Sequence, residues 1–232
     1  MDTSLIGTLG LGFLLGVRHA LDADHVAAVS TFVSQERGIL RACLRGTFWG
    51  IGHTAALLAA GVAVVVFKLQ ISPALERGVE GVVGLVLVLL GSHVLVRTLG
   101  AVRLHRHEHT HDGTAHSHVH VHVGDVIEHR HRHLWQAAPQ PLLMGLLHGL
   151  AGSGALILLV LTTMPSPVAA VLYVFVFGVG STTGMLVLSG LIGVPFALTA
   201  RGSRALTVAL QAVVGAGTML VGVLMLRGVL VA

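Results

Sequence analysis

Eight residues near the start of the chain, Arg18-His19-Ala20-Leu21-Asp22-Ala23-Asp24-His25, carry five ionisable side chains inside an otherwise apolar segment. A charged group at membrane depth costs about 2.5 to 3.5 kcal/mol on insertion scales, so such a cluster implies a compensating task. Metal coordination is the chemistry these residue types suit. On a continuous helix at about 100° per residue, His19, Asp22 and His25 fall at roughly 0°, 300° and 240°, on one face about 120° wide, while Asp24, at roughly 140°, points elsewhere. Asp24 would join them only if the helix breaks here; otherwise it pairs with Arg18 or orients a ligand histidine from behind. Imidazole with carboxylate suits nickel, cobalt, zinc or copper(II); the lack of a thiolate or methionine cluster argues against copper(I), and magnesium and calcium prefer oxygen alone.

Further candidates lie along the chain. His53, between Gly52 and Thr54, has glycines that allow close approach of another helix, which fits a ligand or a residue that orients one. His148 stands before Gly149-Leu150-Ala151-Gly152-Ser153-Gly154, small residues that would supply carbonyls and room where the first cluster supplies acids. Ser181, Thr182 and Thr183 are expected to bond back to a carbonyl four residues earlier, with Ser181 and Thr182 the candidates for lining a pathway. His93 fits an interfacial place, and Arg18 a partner for Asp22 or Asp24. Eleven of the sixteen histidines fall in one tract: His105, His107, His109, His111, His116, His118, His120, His122, His129, His131 and His133. This is a metal-binding composition. The alternation with Val119, Val121 and Val123, ahead of Gly124-Asp125, could form a strand and turn with the histidines on one face. Metal binding there should fall below about pH 6 as imidazoles protonate.

The elements that must position these residues are membrane helices. The chain is 54% hydrophobic and only 10% charged, with a mean hydropathy of +0.87, which marks an integral membrane protein. Apolar stretches near Leu5–Val33, Gly46–Phe67, Gly78–Gly100, Pro141–Thr163, Pro167–Gly193 and Ala205–Leu230 each reach the roughly 20 residues a span requires. The first is long enough that a tilt or an interruption near the motif is expected. Pro73, Pro165, Pro167 and Pro195 are expected at connections or helix ends. Asp2 stands where a signal peptide would carry a basic residue, so the first span is expected to be retained. Cys43 alone cannot form an intrachain disulfide.

An internal repeat organises the chain. Gly16-Val17-Arg18-His19-Ala20-Leu21 matches Gly145-Leu146-Leu147-His148-Gly149-Leu150, Trp49-Gly50-Ile51-Gly52-His53-Thr54 matches Phe177-Gly178-Val179-Gly180-Ser181-Thr182, and Gly84 with Gly91 matches Gly215 with Gly222. Three spans per half make the second half inverted, a plan that places a site near the midplane. The fold expected is therefore an all-α integral membrane protein of six transmembrane helices: residues 1–100 as one three-helix repeat, 101–139 as a His-rich loop, and 140–232 as the second repeat. Arginines 37, 41, 45, 97, 103, 106, 130, 132, 201 and 204 fall on one side, which the positive-inside rule makes cytoplasmic. Both termini are then outside, the His-rich loop is cytoplasmic, and Trp49 and Trp135 lie near that interface. The partners implied are a divalent transition-metal ion and the bilayer, with no nucleic acid and no cofactor beyond the ion as cargo. A cytosolic acceptor of the metal would meet it at the His-rich loop. Lys68 has no phosphate-binding loop around it, so an ion would follow gradients and not ATP.

His19-Ala20-Leu21-Asp22-Ala23-Asp24-His25-Val26 resembles the His-x4-Asp-His signature of the nickel/cobalt transporter family, and Phe48-Trp49-Gly50-Ile51-Gly52-His53-Thr54 resembles its second motif. The resemblance implies a permease for Ni²⁺ or Co²⁺ in which His19, Asp22, Asp24 and His25 select and pass the ion and His53 assists. Larger members have eight helices and acidic motifs in the second half; Phe177 to Gly184 carries no acid, as in a shorter six-helix branch. Uptake is the direction expected, with export as the alternative. A membrane-embedded zinc hydrolase is disfavoured by the lack of a His-Glu-x-x-His motif, and a metal sensor would depend on the His-rich tract.

Overall fold

The structure is a computed structural model that describes residues 3–67, 72–100, 102–111, 114–123, 139–151, 164 and 166–231. Its helices are α1 (Thr3–His19), α2 (Ala23–Val33), α3 (Ile39–Phe67), α4 (Pro73–Gly100), α5 (Pro139–Leu150), α6 (Pro167–Gly202) and α7 (Arg204–Val231), with an antiparallel ribbon of β1 (Val102–His111) and β2 (Thr114–Val123) between α4 and α5. Four helices, α3, α4, α6 and α7, are long and apolar enough to cross a membrane, and α1 with α2 passes the same test as one span bent by 59°. The sixth expected stretch begins with α5, but residues 152–163 lie outside the described residues.

The expected interruption falls inside the His/Asp motif. After His19 the chain tightens into a turn in which Leu21 N–H donates to the Arg18 carbonyl (2.9 Å) and Asp22 N–H to that of His19 (3.0 Å). Asp22 is extended, with ψ 147°, and its carbonyl accepts from Val26 N–H to start α2. Its side chain does not cap α2, because it is committed to His19.

Contacts through glycine fix the directions of the helices. Gly16 of α1 lies on the Phe177 carbonyl and the Ser181 nitrogen, while Gly12 meets Tyr173 and Gly184 meets Val17 and Ala20, so α1 and α6 run parallel. Gly145 of α5 lies in the same way on the Trp49 carbonyl and the His53 nitrogen, and Gly149 on the next turn, so α5 and α3 run parallel. Against α6, α3 is antiparallel: Gly50 meets Thr182 while Gly178 meets Thr54. The Thr54 hydroxyl donates to the Gly178 carbonyl (2.9 Å), which leaves Thr182 to donate to Thr54 (3.0 Å). In α4 and α7, also antiparallel, Gly84 packs on Gly222 and Gly91 on Gly215. Only glycine permits such backbone approach, and it recurs at the positions the sequence repeat pairs.

The short α2 is gripped by α7. The hydroxyls of Thr31 and Thr218 both donate to the Ala27 carbonyl (3.1 and 2.9 Å), and Gln211 donates to the Ser34 carbonyl (2.8 Å). A core of Ala28, Val29, Val33, Trp49, Leu87 and Met185 surrounds its length.

Two expectations are corrected here. Pro195 does not end a helix but lies inside α6, seven residues before its end; the Thr199 hydroxyl donates to its carbonyl (2.8 Å), a back-bond to the residue four positions earlier. Trp49 is not interfacial: at 1% exposure it is among the most buried side chains. Trp135 and Pro165 lie outside the described residues. In the ribbon, His105, His107 and His109 pair with His120, His118 and His116, so the histidines share register positions as expected, while Gly124-Asp125 lies outside the described residues.

Candidate metal centre

The break between α1 and α2 changes which acid faces inward. Asp24, in the first turn of α2, accepts from the His25 backbone N–H (3.0 Å), from His25 Nδ1–H (3.1 Å) and from His148 Nε2–H (2.8 Å). The continuous-helix geometry that set Asp24 apart therefore does not hold. Asp22 stays behind His19, accepting from its Nδ1–H at 2.7 Å, with 54% of the side chain exposed. Arg18 makes no ion pair with either acid among the described residues.

Five side chains converge from four helices: His19 at the end of α1, Asp24 and His25 at the start of α2, His53 in the middle of α3 and His148 in the last turn of α5. They form two groups whose ligand atoms lie within 4.8 Å of one another, His19/His25/His53 and Asp24/His25/His148. His25 belongs to both. Its ring centroid is 4.5 Å from that of His19, 5.1 Å from His53 and 4.4 Å from His148.

The glycine contacts explain this closeness. With Gly145 and Gly149 against the backbone of α3, His148 reaches the level of Trp49 and His53; with Gly16 against α6, His19 comes within 5.4 Å of Phe177. Trp49 forms a wall, edge-on to Phe32 and 5.5 Å from His148. Sequence reasoning had not placed it there.

The polar atoms of the cluster are incompletely satisfied. His25 Nε2, both ring nitrogens of His53, His148 Nδ1 and the Trp49 indole nitrogen are buried without a hydrogen-bond partner among the described residues. A buried polar group left so costs about 1 to 3 kcal/mol, and several side by side are the expected signature of a site whose partner is an ion. Carboxylates behind His19 and His25 fix the tautomer that leaves Nε2 of each ring bare, the usual way a second carboxylate shell presents imidazole to a metal. Two helix C-termini, those of α1 and α5, end at the cluster and direct the negative ends of their dipoles toward it, an arrangement that favours positive charge.

Of the other expected residues, Ser181 is fully buried and has no partner, Thr182 bonds across to Thr54, and Thr183 alone bonds back, to the Val179 carbonyl (2.8 Å). His93 is exposed on α4. In the His-rich tract only the pairing of the strands is described; His129, His131 and His133 lie outside the described residues.

Residues 5–225 match the family described as high-affinity nickel-transport protein. A protein of Bacillus sp. (strain TB-90) named urease accessory protein UreH is 38% identical over 213 residues, 88% of this chain and 83% of that one. The high-affinity nickel transport protein of Cupriavidus necator is 31% identical over 101 residues, 43% of this chain and 28% of that one. No solved structure matches the chain. The extent of the match, together with apolar helices that make this a multi-pass membrane protein, carries the assignment. The chain belongs to the NicO family of high-affinity nickel-transport proteins.

Proposed function

We propose that the protein imports Ni²⁺, with Co²⁺ as a second cargo, through a site formed by His19, Asp24, His25, His53 and His148, with Asp22 orienting His19. The observation that carries this is the meeting of the two ligand groups at a break in an apolar helix. Imidazole with one carboxylate suits nickel and cobalt, and the bare nitrogens await a cation.

The membrane arrangement we propose is six helices in two inverted halves, 1–100 and 140–232, with 101–139 as a cytoplasmic connection and both termini outside. The glycine contacts support it: Gly16 on Phe177 and Ser181 is repeated by Gly145 on Trp49 and His53, with helix directions reversed. The Thr54–Thr182 pair marks where a two-fold axis between the halves would pass. On this topology the ribbon and its histidines collect the arriving ion in the cytoplasm and offer it to an acceptor there. At about 100 mV, inside negative, two charges gain about 4.6 kcal/mol on moving inward, which favours uptake without ATP.

The test is Ni²⁺ influx into sealed proteoliposomes under an imposed inside-negative potential. Influx should rise with potential and be lost in His19→Ala and His53→Ala. Folded protein that binds Ni²⁺ but passes none in either direction would overturn the transport reading, and flux driven only outward by a proton gradient would reverse its direction.

A further inference from the structure

The five ligands form two groups and not one, and this division has a functional meaning. A first-row divalent ion holds imidazole nitrogen at about 2.0 to 2.1 Å, so two ligand atoms on one ion lie no more than about 4.2 Å apart. One ion can draw in three close donors, but five in two groups exceed its reach. We infer that the groups are two successive stations of one pathway, with His25 as the ligand they share. The inference rests on the transport reading above.

The His25 ring lies between the stations. Its Nδ1 faces Asp24, 3.1 Å away, on the side of His148, and its Nε2 is left without a partner, close to the rings of His19 and His53. The ring centroids of His19 and His148 flank it at almost equal distances, 4.5 and 4.4 Å. An ion moving from one group to the other exchanges Nε2 of this ring for Nδ1, whose proton shifts to the vacated Nε2, so the same imidazole serves both stations in turn.

Each half of the chain supplies one station with the histidine at the end of a helix that stops inside the molecule. His19 closes α1 and His148 lies in the last turn of α5, and the repeat matches these two positions. His25 has no such counterpart: Gly154 stands at the equivalent place, as Ser153 does for Asp24. The shared ligand and the only carboxylate within the two groups are thus unique to the first half, and the pathway is asymmetric although the scaffold repeats.

The asymmetry gives an order. Station one is three imidazoles with no carboxylate; station two holds the Asp24 carboxylate, whose attraction for a divalent cation is stronger. His148 packs on Trp49, one helical turn nearer than His53 to the start of α3, the end that the proposed topology places in the cytoplasm. The ion then meets His19, His25 and His53 first and passes to Asp24, His25 and His148.

The experiment separates binding from passage. Co²⁺ serves as optical probe, titrated into the purified full-length chain, and Ni²⁺ influx is measured in proteoliposomes. His148→Gln, with His148→Ala as a second variant should the first not yield monodisperse protein, should retain Co²⁺ binding at station one with its absorption bands while influx falls at least about 10-fold. His53→Gln should lose the absorption bands of station one and influx together, while the His-rich tract binds Co²⁺ alike in every variant. Retained station-one bands show that a variant is folded. Wild-type influx in the His148 variants would overturn the second station, and equal loss of Co²⁺ binding in the His148 and His53 variants would replace two stations with one composite site. If instead the wild type binds Co²⁺ but passes no Ni²⁺, the transport reading falls and the relay with it.

Discussion

Replacing Asp24 by Asn should damage transport far more than the same change at Asp22, although both lie in one motif two residues apart. Asp24 accepts three hydrogen bonds, two from His25 and one from His148. An Asn in its place keeps an oxygen for His25 but turns an amide N–H₂ toward the His148 Nε2–H, two donors face to face. Escape requires His148 to move its proton to Nδ1, which is buried without a partner, at a cost of about 1 to 3 kcal/mol. To this is added the loss of the only formal negative charge within the two ligand groups. Perturbing a ligand or the group that orients it costs about 10- to 100-fold in affinity or activity, and Asp24 does both tasks, so we expect a loss of about 100-fold or more. Asp22 is more than half exposed and makes one bond, to His19; Asn can still accept it, and only charge assistance is lost, about 0.5 to 1.5 kcal/mol or roughly 2- to 10-fold. Initial rates of Ni²⁺ influx at subsaturating concentration, at one potential and normalised to reconstituted protein, give the ratio directly as transition-state free energy. A larger loss for Asp22→Asn than for Asp24→Asn would refute the reasoning, because that is the ranking of an unbroken helix.

Two further outcomes follow from packing and from the ribbon. Gly145→Ala would drive a methyl group into the Trp49 carbonyl and the His53 backbone, whereas Gly7→Ala meets nothing within 4 Å. The first should destabilise by about 1 to 3 kcal/mol, as overpacking does, lowering the thermal midpoint of the purified protein and its influx, while the second is neutral or slightly stabilising because Ala is the better helix former; equal midpoints for the two would contradict the close approach of α5 and α3. Deleting residues 105–133 should leave influx within about a factor of 3, since no ligand of the two groups is removed, but should lower the number of Ni²⁺ ions bound near pH 7.5 by equilibrium dialysis. The ions lost are those bound by imidazoles with reference pKa about 6.5, so full-length and shortened protein should converge below about pH 6. Abolished influx on deletion would make the tract part of the permeation path.

What was legible in the sequence was the chemistry and its setting. Charged residues in an apolar run stand out because the membrane makes them expensive, and the glycines of the repeat stand out because each marks a backbone contact that no other residue allows. His53 and the interruption of the first span could be expected on the same grounds. The assignment of Asp22 and Asp24 to their places could not, because it depends on a conformational choice at Ala20–Asp22 that propensity does not decide: Ala20 and Leu21 favour helix, yet the chain breaks there. The compensation is visible only in three dimensions. Breaking gives up backbone bonds over one turn, and in exchange ends α1 at His19, turns Asp22 onto that ring, and swings Asp24 between His25 and a histidine 124 positions away.

The place of Trp49 was hidden for a related reason, and His148 stood as a second-half candidate without a partner assigned. An indole near a cluster of arginines fits an interface, and one histidine in an apolar segment fits a core, so each residue alone gives the wrong weight. The repeat contained the correction. If Gly145 does for α5 what Gly16 does for α1, then the helix it lies on must carry its backbone bare at Trp49 and His53, and the indole of Trp49 must turn inward beside whatever stands one turn past Gly145. That residue is His148. The same logic turned around identifies Ser181, fully buried and unpartnered at the position equivalent to His53: a second His53 there would have completed a symmetric site. The small hydroxyl leaves room instead, so four of the five clustered side chains, His19, Asp24, His25 and His53, come from the half that carries the acids.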